Sequence, residues 1–434
     1  MNFHSTRSAA DLVKLPDAIL AGLAPDGGLY VPDRFPQVDP SQFEAVPPWQ
    51  VGARMLAPFF QGESLEPELA DICREAISFP LPRVATSDPN LSILELFHGP
   101  TAAFKDVGAR FLAACLERLH SDPVPTVMVA TSGDTGSAVA AACAERSGLR
   151  VVILYPEGGV SPRQEHQLTC WGDNVLSLRI RGSFDDCQRM VKESFLDRDL
   201  QSQVPLTSAN SISVARLLPQ MIYYAATSLD YWRETGEKAN FIVPTGNLGN
   251  ALAGIWARRL GMPIDRFALA TNANATISRF LDTGEWEPGK TIATLASAMD
   301  VSNPSNMERL RHLYPSFEEI TGQAWAISVS DEQISEAIVE ADRTLGQELC
   351  PHTATAYVAY KALRTENPDH DPECHWIALA TAHAAKFETI VEPLVGRPVE
   401  VPPALADILH RPTHRVDLPA STQALKQALL DWPR

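Results

Sequence analysis

The stretch TVMVATSGDTGSAVAAACAERSG, residues 126–148, begins with an apolar run and breaks sharply at Ser132-Gly133-Asp134-Thr135-Gly136. It then continues as an alanine-rich pattern that stops at Gly148. A short apolar run without polar alternation predicts a strand buried on both faces, and small residues after a glycine-rich turn predict a helix. The same sentence is repeated downstream: RVVILYP (150–156) precedes SPRQEHQLTCWG (161–172), and NVLSLRIRG (174–182) precedes FDDCQRMVKESFLD (184–197). Strand, turn and helix in regular alternation imply a parallel sheet with crossover helices. A long helical pattern follows in SVARLLPQMIYYAATSLDYWRETG (213–236). The alternation then resumes in NFIVPTGNLGNALAGIWARRLG (240–261) and HWIALATAHAAKFETIVEPLVG (375–396). Upstream, short helical patterns punctuated by Pro and Gly, as in LAPDGGLYVPDRFP (23–36), show no such alternation. The expected organisation is therefore a mainly helical N-terminal domain at 1–92, a smaller α/β domain at 93–205 and a larger one at 206–434. Ligands of open α/β sheets collect at the carboxyl ends of the strands, and two such units offer a cleft between them.

Composition narrows the function. The chain has 434 residues, 45% hydrophobic and 21% charged, enough to bury sizeable cores. Its formal charge of -17, with no cluster of Lys and Arg, argues against nucleic acid and anionic membranes as partners. No apolar run approaches the ~20 residues of a membrane span. The N-terminus lacks the basic start and apolar core of a secretory signal, so a cytoplasmic location is expected. Seven widely spaced cysteines without a CxxC pair suggest buried thiols, not a metal site or a disulfide framework.

Five strings could carry chemistry, and each has a plainer reading. In PTGNLGN (244–250), glycines after a strand and before a helix can turn backbone amides toward a phosphate, or simply make a strand-to-helix turn. It is not the dinucleotide fingerprint, since GxGxxG is absent. In ATSGDTGSA (130–138), Ser132, Asp134 and Thr135 can hold a small carboxylate ligand or cap the helix. In HGPTAAFKD (98–106), Lys105 opens a helix beside apolar neighbours. The helix dipole and desolvation there would lower its pKa, as a nucleophilic lysine needs, unless it pairs with Asp106 in solvent. In NSISVARLLPQ (210–220), Asn210, Ser211, Ser213 and Arg216 match phosphate geometry or a capped helix with an exposed Arg. In TAHAAKF (381–387), Thr381 sits just beyond a strand, with His383 and Lys386 nearby.

Together with MDVSNPSN (299–306) and the N-terminal GLAPDGGLYVPDRFP (22–36), these strings resemble the threonine synthase family, in order and over nearly the whole chain. The long form with an N-terminal domain resembles the bacterial and fungal group. The resemblance implies an α/β fold of the type II pyridoxal-phosphate class, similar to the tryptophan synthase β chain. It also implies pyridoxal 5'-phosphate as cofactor and conversion of O-phospho-L-homoserine and water to L-threonine and phosphate. Lys105 matches the Schiff-base lysine. Gly246, Asn247, Leu248, Gly249 and Asn250 match the cofactor-phosphate loop, and Thr381 the hydroxyl facing the pyridine nitrogen. Ser132, Asp134 and Thr135 match the turn near the substrate carboxylate, and Asn210, Ser211, Ser213 and Arg216 the segment receiving the substrate phosphate. The chain departs from the usual pattern at Ser213 (commonly Asn), Ala384 (commonly Pro) and Cys350 (commonly acidic). A related dehydratase acting on threonine or serine, or a non-catalytic binding protein of the same family, are the alternatives. Monomer and homodimer are both left open.

Overall fold

The computed structural model describes residues 1–119, 125–144, 146, 148–366 and 374–432. Its strands are β1 (Asn2–Ser5), β2 (Val13–Lys14), β3 (Tyr30–Pro32), β4 (Arg83–Ala85), β5 (Leu91–Glu95), β6 (Thr126–Ala130), β7 (Arg150–Pro156) and β8 (Val175–Arg181). They continue with β9 (Leu206–Ser208), β10 (Ala239–Pro244), β11 (Ile264–Thr271), β12 (Trp325–Ser328), β13 (Trp376–Ala380) and β14 (Val416–Pro419). Three sheets result. A five-stranded sheet runs β14-β8-β7-β6-β9, parallel throughout. A six-stranded sheet runs β12-β11-β10-β13-β5-β4, with only β4 antiparallel.

All five residues of β6 are buried, as the unalternated TVMVA run predicts. Along β7, Val151, Ile153 and Tyr155 enter one core while Val152 and Leu154 enter another on the opposite face. Along β10, Phe241 and Val243 share the first of these cores and Ile242 points to a third. One face of each α/β sheet and the N-terminal unit therefore share a single apolar core.

The N-terminal unit is built on the helices Leu15–Ala21, Pro48–Phe60 and Leu69–Ala76, but it also carries an unanticipated antiparallel sheet, β2-β1-β3. Its strands have two to four residues, too short to show periodicity. Sheet membership also cuts across the boundaries expected at 92 and 205. β5, which leads to Lys105, pairs with β13, whereas β9 and β14 join the five-stranded sheet. Alternation along a chain shows that strands are parallel, but partners far apart in sequence choose the sheet. None of the cysteines forms a disulfide among the described residues, and all are buried except Cys374, which is half-buried. No described helix is long and apolar enough to cross a membrane.

Candidate active site

The carboxyl ends of β5, β6, β9, β10 and β13 bring the sequence motifs to one cavity, which is lined by Lys105, Asp134, Thr135, Arg216, the 244–250 loop and Thr381. Lys105 begins the helix Lys105–Arg118. Its neighbour Asp106 turns away to accept the Thr101 N–H (2.9 Å) and hydroxyl (2.7 Å), which removes the solvated Lys105–Asp106 pair. Lys105 Nζ instead donates to Thr135 Oγ1 at 2.9 Å. Burial, reinforced by Arg216 and Lys386 and opposed by Asp134, lowers its pKa to about 8. The loop before it is stitched to the end of β13: Phe104 N–H donates to the Thr381 carbonyl (2.9 Å) and His383 N–H to the Ala102 carbonyl (3.0 Å). Ala102 takes φ 54° there, a left-handed conformation unusual for alanine.

In the Ser132–Gly136 turn, capping falls to Thr131, whose Oγ1 accepts the N–H groups of Gly133 (3.0 Å) and Gly136 (2.9 Å). That leaves Asp134 and Thr135 for the cavity. Asp134 Oδ1 lies 2.7 Å from Lys386 Nζ and accepts from Gln164 Nε2 at 3.0 Å. Burial pushes the Asp134 carboxyl up, but Lys386, His352 and these hydrogen bonds prevail and hold its pKa at about 2. Ser132 lines the adjoining cleft, with Ser161, Thr294 and Ser297, and not the wall around Lys105.

The 244–250 loop achieves its shape differently from the sequence expectation. Leu248, not a glycine, takes the left-handed turn (φ 62°) before the helix Gly249–Arg259. Gly246 is required by contact: a Cβ there would lie 2.7 Å from Met299 Cα. A Cβ on Gly249 would meet Asn306 Nδ2 and Ser211 Cβ only at 3.4 Å. Asn247 joins this loop to the next motif, donating from Nδ2 to Ser211 Oγ (2.5 Å) and accepting the Ser305 N–H at Oδ1 (2.5 Å). Asn250 Oδ1 accepts from the hydroxyls of Tyr223 (2.5 Å) and Tyr224 (2.8 Å).

Buried polar atoms without partners concentrate here: Asn210 Oδ1, Ser213 Oγ, Arg216 Nε, Thr245 Oγ1 and Asn250 Nδ2. Buried donors are rarely left unpaired unless a ligand completes them. Arg216 is itself fully buried, spends Nη1 on the Ala209 carbonyl (2.5 Å), and is pulled by burial to a pKa of about 10. Helix N-termini, a close-approach glycine, orphaned donors and a lysine of lowered pKa suit a phosphorylated carbonyl cofactor.

Sequence reasoning assigned no role in the site to four contributors. His352 lines the cavity, accepts the Ala298 N–H at Nε2 (3.0 Å), and is held by burial at a pKa of about 4, hence neutral. Beside it Cys350 receives the Thr353 N–H at Sγ (3.4 Å), so the thiol serves as the helix cap. Asn306 donates to the carbonyls of Asn247 (3.0 Å) and Ser211 (3.3 Å). Arg309, fully buried, donates to the Tyr30 carbonyl (3.0 Å), Asn306 Oδ1 (2.7 Å) and the Ile212 carbonyl (2.6 Å). The MDVSNPSN string was the available signal for Asn306; nothing local marks Arg309. Among the described residues no cluster of His, Cys, Asp and Glu could hold a metal ion.

Residues 79–375 match the pyridoxal-phosphate dependent enzyme family, residues 2–77 the threonine synthase N terminus, and residues 353–429 the threonine synthase C-terminal region. The chain is 38% identical to threonine synthase of Serratia marcescens, over the full length of both. It is 37% identical to that of Escherichia coli, over 99% of this chain and 100% of the relative. Among solved structures, PLP-bound threonine synthase from Brucella melitensis superposes with a TM-score of 0.92 at 32% identity, covering 100% of both chains. Threonine synthase from Escherichia coli gives 0.91 at 37% identity, covering 99% and 100%. A pyridoxal 5'-phosphate-dependent aspartate racemase shares the fold at 16% identity and a TM-score of 0.54, over 73% of this chain and 95% of its own. The agreement in sequence, fold and length, together with a cavity suited to the cofactor, places this chain in the threonine synthase family of pyridoxal-phosphate-dependent enzymes.

Proposed function

We propose that this enzyme converts O-phospho-L-homoserine and water to L-threonine and phosphate in the cytoplasm. Arg216 carries the proposal: a fully buried guanidinium with an unpartnered Nε, lining the same cavity as Lys105. A substrate with a phosphate on its side chain gives that cation a use that a free hydroxy amino acid does not.

Lys105 would hold the cofactor covalently, Gly246 to Asn250 its phosphate, and Thr381 its ring nitrogen. Bound there, pyridoxal phosphate supplies an electron sink. The protein does the rest. Lys105, with a pKa of about 8, can take and return protons at the α, β and γ carbons near neutral pH. Asn210, Ser211, Ser213 and Arg216 would retain the phosphate, and the turn carrying Asp134 and Thr135 would orient the substrate carboxylate, with Ser132 facing the adjoining cleft. The Thr381 hydroxyl, unlike a carboxylate, would not strongly favour a protonated pyridine.

The test supplies purified protein and pyridoxal phosphate with O-phospho-L-homoserine, and in parallel with threonine, while phosphate, threonine and 2-oxo acid are quantified. Equimolar threonine and phosphate are expected. Deamination of threonine without turnover of the phosphorylated substrate would overturn the reading in favour of a dehydratase.

A further inference from the structure

Lys386 lies in the turn Ala384–Phe387 after β13, belongs to none of the roles above, and is completely buried. Its ammonium stands 2.7 Å from Asp134 Oδ1 and donates to the Thr101 carbonyl at 2.8 Å. The turn is pinned from the five-stranded unit. Ser161 Oγ donates to the Lys386 carbonyl (2.7 Å) and Arg163 Nη1 to that of Ala385 (2.6 Å). Asp134 lines the cavity and is followed directly by Thr135, the acceptor of Lys105 Nζ.

A buried carboxylate so near Lys105 would recruit it as a counter-ion if it had no cation of its own. The pair would keep Lys105 protonated, and an unneutralised carboxylate would repel an anionic substrate. We propose that Lys386 is a positioning residue: by pairing with Asp134 from the opposite α/β unit, it frees Lys105 to act as nucleophile and base and leaves the Thr135 turn fixed to receive it.

The titratable groups facing Lys105 are the charged Asp134 from the β6 turn, Arg216 from the 210–217 segment and Lys386 from the β13 turn, and the neutral His352 from the helix Pro351–Glu366. Asp106, on the same helix as Lys105, is turned toward Thr101, and Cys350 lies beside His352. Within this set Asp134 is the group that favours a protonated Lys105, while Arg216 and Lys386 oppose it. Removing Lys386 leaves Lys105 as the natural partner of Asp134.

The inference rests on Lys105 as the cofactor-bearing lysine, which borohydride reduction of the holoenzyme and peptide mapping test separately. The readout for Lys386 is trace acetylation of Lys105 by acetic anhydride as a function of pH, on the full chain freed of cofactor, followed by mass spectrometry. In Lys386→Met the labelling rate at pH 8 is expected to fall about tenfold as Lys105 becomes protonated. The double variant Lys386→Met with Asp134→Asn is expected to recover the parent rate, which loss of packing alone would not do. Should Lys386→Met fail to fold, Asp134→Asn alone is expected to label faster than the parent below pH 8. A Lys386→Met profile equal to the parent's, a double variant no faster than the single, or an Asp134→Asn profile unmoved would each overturn the proposal. Borohydride trapping at another lysine would instead remove the assignment of Lys105 and leave the electrostatic coupling to stand on its own data.

Discussion

Arg216 and Gly246 show what a single residue contributes to this site. Arg216 is a desolvated cation whose Nε lacks a partner, so a bound phosphate would complete it. Arg216→Ala is expected to cost about 1.5 to 3 kcal/mol of transition-state stabilisation, roughly ten- to a hundredfold in kcat/KM, with normal cofactor retention. Steady-state kinetics on O-phospho-L-homoserine matching the parent's would assign Arg216 to structure alone. The two loop glycines are separable. Gly246→Ala places a Cβ against the Met299 backbone and should weaken cofactor affinity tenfold or more, about 1 to 3 kcal/mol of overpacking. Gly249→Ala, with contacts no closer than 3.4 Å, should change it little. Equilibrium titration with pyridoxal phosphate distinguishes them, and equal affinities in the two variants would refute the contact argument. The glycine-rich loop was legible because its signal is local. Which glycine mattered was not, because the obstacle, Met299, lies on another segment.

The strand ends at the next scale were readable for the same reason: strand, turn and helix follow one another within about 25 residues. The braces between them were not. Lys386 meets Thr101 across 285 positions of sequence and Arg309 meets Tyr30 across 279, so no window of sequence contains either pair. Arg309 ties β3 of the N-terminal unit to Asn306 and Ile212, and through Asn306 to Ser211 and Asn247 in the 210–217 and 244–250 loops. Burial lowers its pKa to about 9, so the charge is held at a cost offset by three acceptors. Arg309→Met would strand those buried acceptors, and a loss of about 3 kcal/mol or more in unfolding free energy is expected. Cofactor affinity should fall with it, since Asn306 loses its orienting partner. Denaturant unfolding and cofactor titration of the same variant check both parts. Intact stability with intact affinity would show that the brace is dispensable.

For the whole molecule, the buried titratable groups fix how stability responds to acid. Burial lowers His352 and His383 to pKa values of about 4, and also lowers His4 and His375. Between their unfolded value near 6.5 and about 4, the unfolded chain binds more protons than the native one. Stability therefore falls as pH drops through that window, by up to about 3 kcal/mol for each of His352 and His383. Asp300 acts in the opposite sense: burial raises it to about 6, so the native state gains protons first and stability rises as pH falls from 6 toward 4. Asp106, also raised by burial, adds to that opposition. Asp134, held at about 2, contributes stability that is complete above its unfolded value and is lost only below about pH 4. Four lowered histidines face four raised carboxylates, since burial also raises Asp230 and Glu388. Two rings, however, are moved to about 4 against one carboxyl moved to about 6, so a net loss of a few kcal/mol is expected between pH 7 and pH 4.5, measured by urea unfolding. His383→Asn preserves an acceptor for the Ala385 N–H, which His383 Nδ1 receives at 3.1 Å, and removes one titrating ring. Its stability should decline less steeply over the same interval, while Asp300→Asn should decline more steeply. A parent protein equally stable at pH 7 and 4.5, or a His383→Asn slope no shallower than the parent's, would show that these rings are not titrating as their burial requires.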